Sequence, residues 1–143
     1  MSRRELTVEA STDNLARVLA FLDERLEELD CGMKAQMQID IALEEIFVNV
    51  AQYAYAHLAP QDPSEKLVSI QLEDSEDPRS IEITIRDRGI PFDPLAKEDP
   101  DTTLSAEERR IGGLGIFMAK KSMDSMHYEY RDGQNILTFR KYI

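Results

Sequence analysis

Two stretches of strict alternation, KLVSIQLED (66–74) and SIEITIRD (80–87), constrain this chain more than any other feature. Successive side chains of an extended strand point to opposite faces, so each stretch carries one apolar and one polar face. Only SEDPR separates them, which predicts an antiparallel hairpin buried on one side. HYEYRDGQNILTFRKYI (127–143) predicts a terminal hairpin with Asp132-Gly133 at its turn, and RELTVEA alternates like an edge strand. A sheet with one apolar face needs a cover, and the remaining segments supply it. Ser11, Thr12 and Asp13 offer N-caps to a helix over 14–29, with Leu15, Val18, Leu19, Leu22 and Leu26 on one face. Cys31-Gly32 is expected to end it, with the glycine in the left-handed conformation. A second helix is predicted over 34–57, striped by Ile39, Leu43, Ile46, Phe47, Val50 and Ala54, and a third over 116–126. The order predicts an α+β fold: a two-layer α/β sandwich whose mixed, mostly antiparallel sheet carries helices on one face.

At 143 residues, 42% of them apolar, the chain is expected to form a single domain over 1–143 with one core. No apolar run approaches a membrane span, and MSRRELTVEA has no signal-peptide core. One cysteine, Cys31, forms no internal disulfide, and no Cys/His cluster points to zinc. A cytoplasmic setting is the expectation. The formal net charge of −11 opposes nucleic acid and anionic membrane, which demand clustered Lys and Arg. Such an acid excess serves solubility or meets a basic protein partner, and composition does not choose between them.

Three places could carry chemistry. On the second helix Glu45 and Asn49 are four residues apart, hence side by side, while Glu44 lies about 100° from Glu45 on the other flank. A carboxylate can accept a proton, and an amide oxygen is a hard ligand suited to Mg²⁺. Equally, such a pair can be an ordinary polar border of a core helix. At IRDRGIPFDP, Asp87 sits where a strand runs into Gly89. This is either a plain strand exit or an acceptor for an exocyclic amine, with glycine allowing a planar ligand to approach. In GGLGIFMAKK, Gly112, Gly113 and Gly115 precede a helix. They serve as a connector or expose backbone N–H groups to an anion at the positive end of the helix dipole. The spacing is not that of a P-loop, which needs Lys-Ser/Thr after the glycines.

Taken in order, E-x-x-x-N on a helix, D-x-G-x-x-F after a strand, a long stretch of weak periodicity and then G-G-L-G opening a helix resemble the gyrase/histidine-kinase/MutL-type ATPase superfamily. ALEEIFVNVAQYAY, IRDRGIPFDPL and IGGLGIFMAKKSMDSMHYEYRDGQNILTFRK look like the anti-sigma-factor serine/threonine kinases within it. The resemblance runs from the first strand to Lys141. It implies ATP and Mg²⁺ as cofactors, with Glu45 as general base, Asn49 as Mg²⁺ ligand, and Asp87 holding the adenine amine beside Gly89. It further implies phosphate contacts from Gly113, Leu114 and Gly115, an ATP lid over about 95–111, and a lid arginine, Arg109 or Arg110, at the terminal phosphate. Thr138 matches a position where relatives place a hydroxyl near adenine. The implied activity is phosphorylation of an anti-anti-sigma-like protein by a homodimer that also meets a sigma factor. An ATP-gated binding module without phosphoryl transfer is the alternative. A histidine kinase fits less well, because His57 and His127, the only histidines, lie in the second helix and a strand. The chain also departs from the pattern: Pro91 stands where many relatives have a second glycine. Val50, Gln52 and Tyr53 replace an Ala-basic pair after the Asn, and the lid segment KEDPDTTLSAEERR is acidic.

Overall fold

A computed structural model describes residues 2–55, 66–96 and 114–143. Alternation governs the sheet as expected. In β2 (Leu67–Glu76) Val68, Ile70 and Leu72 are buried, and in β3 (Arg79–Asp87) so are Ile81, Ile83 and Ile85. β1 spans Ser2–Glu9, β4 Ser125–Arg131 and β5 Gln134–Tyr142. The five strands run in the order β1-β2-β3-β5-β4. All four pairings are antiparallel, so the expected mixed sheet is corrected to a uniform one. The reason lies in the connections: the two helices between β1 and β2 return the chain to the end it left, and Leu67 pairs beside Glu9. Tight hairpins join β2 to β3 and β4 to β5 and enforce the same sense, and β5 lies antiparallel beside β3.

Among the described residues three helices cover the apolar face: α1 (Leu15–Glu28), α2 (Met33–Asn49) and α3 (Leu114–Ser122). Val18, Leu22 and Leu26 of α1 and Ile39, Leu43, Ile46 and Phe47 of α2 meet Ile70, Leu72, Ile81, Ile83 and Phe139 of the sheet in one cluster. The stripes expected at helical spacing are therefore the buried ones.

Three local details differ. The left-handed residue after α1 is Asp30 (φ 54°), while Gly32 is extended (φ −61°) and caps α2. Aspartate tolerates that conformation better than most residues, and Gly32 is not required for it. α3 ends at Ser122 and β4 already begins at Ser125, earlier than the predicted change at residue 127. Met123 and Met126 both pack on the core, a spacing of three that suits a helix and also suits a helix exit followed by a strand. Asp124 fixes the switch, its N–H donating to Arg140 O and its carboxylate accepting from Tyr142 N. Finally, α2 is regular only to Asn49, after which Val50–Ala54 form a wider π turn.

One partly buried contact between α1 and α2 is unfavourable at neutral pH. Burial, a hydrogen bond with Asp23 and the charges of Asp23 and Glu44 push the Asp40 carboxyl from 3.8 up to about 8. Its Oδ1 is buried without a hydrogen-bond partner among the described residues. An acid whose folded pKa is raised is most stabilising while protonated. Stability is therefore lost as pH rises from about 4 through about 8. Asp40→Asn is expected to melt above the parent at pH 9, with the gap closing toward pH 5 when both are followed by circular dichroism. A gap that does not change with pH would contradict the pairing.

Candidate functional site

The inner row of β3 does not end with its isoleucines: the next residue on that face is Asp87, 5% exposed. Alternation has carried a carboxylate onto the apolar side of the sheet, at the point where the strand leaves it. Oδ1 of Asp87 accepts from the N–H of Gly89 at 2.8 Å and from Nδ2 of Asn135 at 2.9 Å. Burial pushes the Asp87 carboxyl above its ordinary value, and those two donors oppose the rise.

Asn135 stands directly opposite Asp87 in the β3–β5 register and is equally buried, at 6%. Its amide ties the strand end to the turn that follows. Nδ2 also donates to Ile90 O at 2.8 Å, while Oδ1 accepts from Phe92 N at 3.0 Å and from the Tyr128 hydroxyl. Phe92 N also reaches the Tyr128 oxygen, at 3.2 Å. The sequence reading passed over Asn135. The signal was available: Asn135 shares its β5 face with Leu137 and Phe139, so alternation alone puts a polar residue among apolar ones.

The opposite wall comes from the end of α2. Ile46, Asn49, Val50 and Ala54 face Ile85, Asp87, Phe92, Pro94, Tyr128, Asn135 and Leu137 across a narrow cavity, part of which opens to solvent. The mostly apolar lining with a few convergent polar groups is the make-up of a small-molecule site. The π turn sets this wall's position. Ala54 O accepts from Ile90 N at 2.8 Å, and the hydroxyl of the buried Tyr55 bridges Leu67 O (2.6 Å) and Arg88 N (2.9 Å). Gly89 is accordingly needed for a different contact from the expected one. A Cβ there would collide with the Ala54 carbonyl, so the glycine makes room for the helix end. Gly89→Ala is expected to cost about 2 kcal/mol of folding stability by overpacking, read from urea unfolding. A change below about 0.5 kcal/mol would show that the turn yields freely.

Glu45 lies one turn before Asn49 on α2 and is partly exposed, whereas Glu44 is fully on the solvent side. Gly115, in the first turn of α3, packs on the Glu45 carboxylate so closely that any Cβ would collide with it. Glu45 thus meets Gly115 at the start of α3, and Asn49, one turn further along α2, lines the same cavity as Asp87. Leu114 opens α3. Thr138 is not brought to the cavity. Pairing with Thr84 (Oγ1–Oγ1 3.4 Å), it lies on the other face of the sheet from Asn135 and Leu137, because it is an odd number of residues from both. Gly113, Arg109, Arg110, His57 and the lid from residue 97 to 111 lie outside the described residues. Among the described residues, no group of three or more His, Cys, Asp or Glu is placed to hold a metal ion. No helix among them is long and apolar enough to cross a membrane.

Comparison with known proteins gives a consistent answer. The model of the histidine kinase-like ATPase domain family matches residues 8–141. The serine/threonine-protein kinase BtrW of Bordetella bronchiseptica is 25% identical over 105 residues, covering 73% of this chain and 69% of that protein. Among solved structures, the RsbU and RsbW domains of a Mycobacterium tuberculosis protein superpose with a TM-score of 0.67 at 16% identity. That match covers 99% of this chain and 32% of the other, so this chain spans about a third of it. The SiaB–SiaC complex from Pseudomonas aeruginosa gives a TM-score of 0.63 at 15% identity, covering 98% and 89%. At such identities the two structures establish likeness of fold.

Proposed function

We propose that this chain, which belongs to the histidine kinase-like ATPase family, binds Mg·ATP in the cavity between the β3 exit and the end of α2. The observation that carries this reading is a buried carboxylate, Asp87, held by two donors on one oxygen at the wall of an apolar cavity. Its other oxygen is the acceptor for the adenine amine, and Ile46, Val50, Ile85 and Leu137 give the base its apolar surroundings. Asn49, on the same cavity wall, is the group that would hold Mg²⁺. A single neutral amide suits that ion, which keeps water and phosphate oxygens as its other ligands and needs no carboxylate cage. Bound there, the ion would neutralise phosphate charge. At the head of α3, Leu114 and Gly115 offer backbone N–H groups to the phosphates, and Gly113 and Arg110 are the further amide and the cation proposed for them.

Glu45 is the general base in this reading. It stands one helical turn from Asn49 and against Gly115, at the phosphate end, where it can take the proton of an incoming hydroxyl. The hydroxyl belongs to a serine or threonine of a protein substrate of the anti-anti-sigma type. The likeness to BtrW, named a serine/threonine-protein kinase, and to a SiaB–SiaC complex supports a kinase that works on a protein partner. A sigma factor as second partner, a homodimer and a cytoplasmic location complete the proposal. The second reading, an ATP-gated binding module, draws on Gln52 and Tyr53, which stand where a phosphate-binding cation is expected. Pull-down from a lysate with and without ATP, followed by γ-phosphate labelling of whatever is captured, separates them. Labelled Ser or Thr on a captured protein supports the kinase. Nucleotide-dependent capture without label supports the module, and capture that is indifferent to nucleotide and yields no label contradicts both.

A further inference from the structure

We infer that Asn135 is the positioning residue for base recognition: it touches no nucleotide itself but aims Asp87 and fixes the Phe92 wall. The inference rests on the nucleotide-binding reading above and goes beyond it. A side-chain amide offers two N–H donors and two acceptor lone pairs. Asn135 spends all four inside the protein, on Asp87 Oδ1, Ile90 O, Phe92 N and the Tyr128 hydroxyl. No capacity remains for a ligand. The amide also has only one workable orientation, because turning it over would set its NH₂ against the Phe92 N–H and its oxygen against the Asp87 carboxylate and the Ile90 carbonyl.

Two consequences follow from this wiring. Asp87 Oδ1 is occupied by Asn135 and Gly89, so the carboxylate cannot rotate without breaking both bonds, which leaves its other oxygen as the acceptor for a ligand. The residues from 90 to 92 hang from the same amide, which places the Phe92 ring at the cavity wall and 6.4 Å from that of Tyr53. Aim and wall are thus set by one side chain on a neighbouring strand. Discrimination of an amino purine from a 6-oxo purine belongs to Asp87 but depends on Asn135.

Asn135→Asp tests this through pH. The new carboxylate matches the amide in shape but faces Asp87 Oδ1 and Ile90 O with oxygen in place of N–H. Near pH 8 its charge repels Asp87, and ATP affinity is expected to fall about 100-fold relative to the parent. Toward pH 5.5 it takes up a proton, regains a donor for Asp87, and about tenfold of the loss should return. The mutant-to-parent affinity ratio is the quantity read by calorimetry, which cancels titration of ATP. Should Asn135→Asp fail to fold, Asn135→Ala is compared for ATP against inosine triphosphate, which lacks the exocyclic amine. The preference for ATP should shrink about tenfold, whereas Leu137→Ala should weaken both nucleotides alike. A ratio flat from pH 8 to 5.5, or an unchanged preference in Asn135→Ala, overturns the inference while leaving nucleotide binding intact. A parent that binds no ATP at any pH overturns the nucleotide reading instead.

Discussion

Asp87→Asn is expected to reduce ATP affinity by more than about 100-fold, some 3 kcal/mol, while the protein stays folded. In the parent Asp87 Oδ1 already takes two hydrogen bonds, from Gly89 N and Asn135 Nδ2. The asparagine must keep its oxygen toward those donors, so its NH₂ group faces the cavity and meets the adenine amine donor to donor. The change loses a charge-assisted bond and strands two N–H groups. Stability should move the opposite way. Burial raises the Asp87 pKa, so the ionised carboxylate is held at a cost that grows as pH rises through its folded value. Asparagine removes that cost, and the variant should melt no lower than the parent at pH 7.5. Calorimetric titration beside a melting curve checks both halves. Retained affinity would refute Asp87 as the adenine residue, and a collapsed melting temperature would show that its role is structural.

The second large effect concerns phosphoryl transfer. Glu45→Ala is expected to slow transfer to the protein substrate about a thousandfold, the typical worth of a positioned general base, and to leave ATP affinity within about threefold. The split follows from geometry. Glu45 is absent from the residues that line the cavity but packs on Gly115 at the start of α3. Removing a carboxylate from beside bound phosphates also relieves repulsion, which keeps affinity from falling. Glu44→Ala is the natural control, because that carboxylate is exposed on the opposite flank of α2. Transfer that survives Glu45→Ala would remove it from the base role. Loss of ATP binding in the same variant would make it a binding residue.

Much of this was legible beforehand, for a reason that can be stated residue by residue. Period-two alternation assigns faces unambiguously, so β2, β3 and β5 and the buried isoleucines could be read directly. Helical spacing separated Glu45 from Glu44, and the order of motifs joined Asp87 to Asn49 across the interval between α2 and β3. The same alternation would have excluded Thr138 from the cavity face and selected Asn135, had it been carried one strand further. Other features lay beyond sequence. The π turn at Val50–Ala54 depends on Tyr55 bridging Leu67 and Arg88, a tertiary contact with no local signature. Gly89 was read as clearance for a ligand, because a glycine by itself does not tell which neighbour needs the space. The antiparallel pairing of β1 with β2 was set by the path of two intervening helices, which spacing within either helix does not encode.

The alternation that opened the sequence reading and the chemistry proposed for the site meet at a single residue. Asp87 is the last position of an apolar row, and the sheet that buries its neighbours also buries the carboxylate. The measurement that tests this account most directly is calorimetric titration of the purified chain with ATP, with Mg²⁺ present and again after chelation. One saturable site per chain is predicted, tighter with Mg²⁺ than without and far weaker for inosine triphosphate. No heat of binding for ATP under either condition, or equal affinity for the two nucleotides, would contradict it.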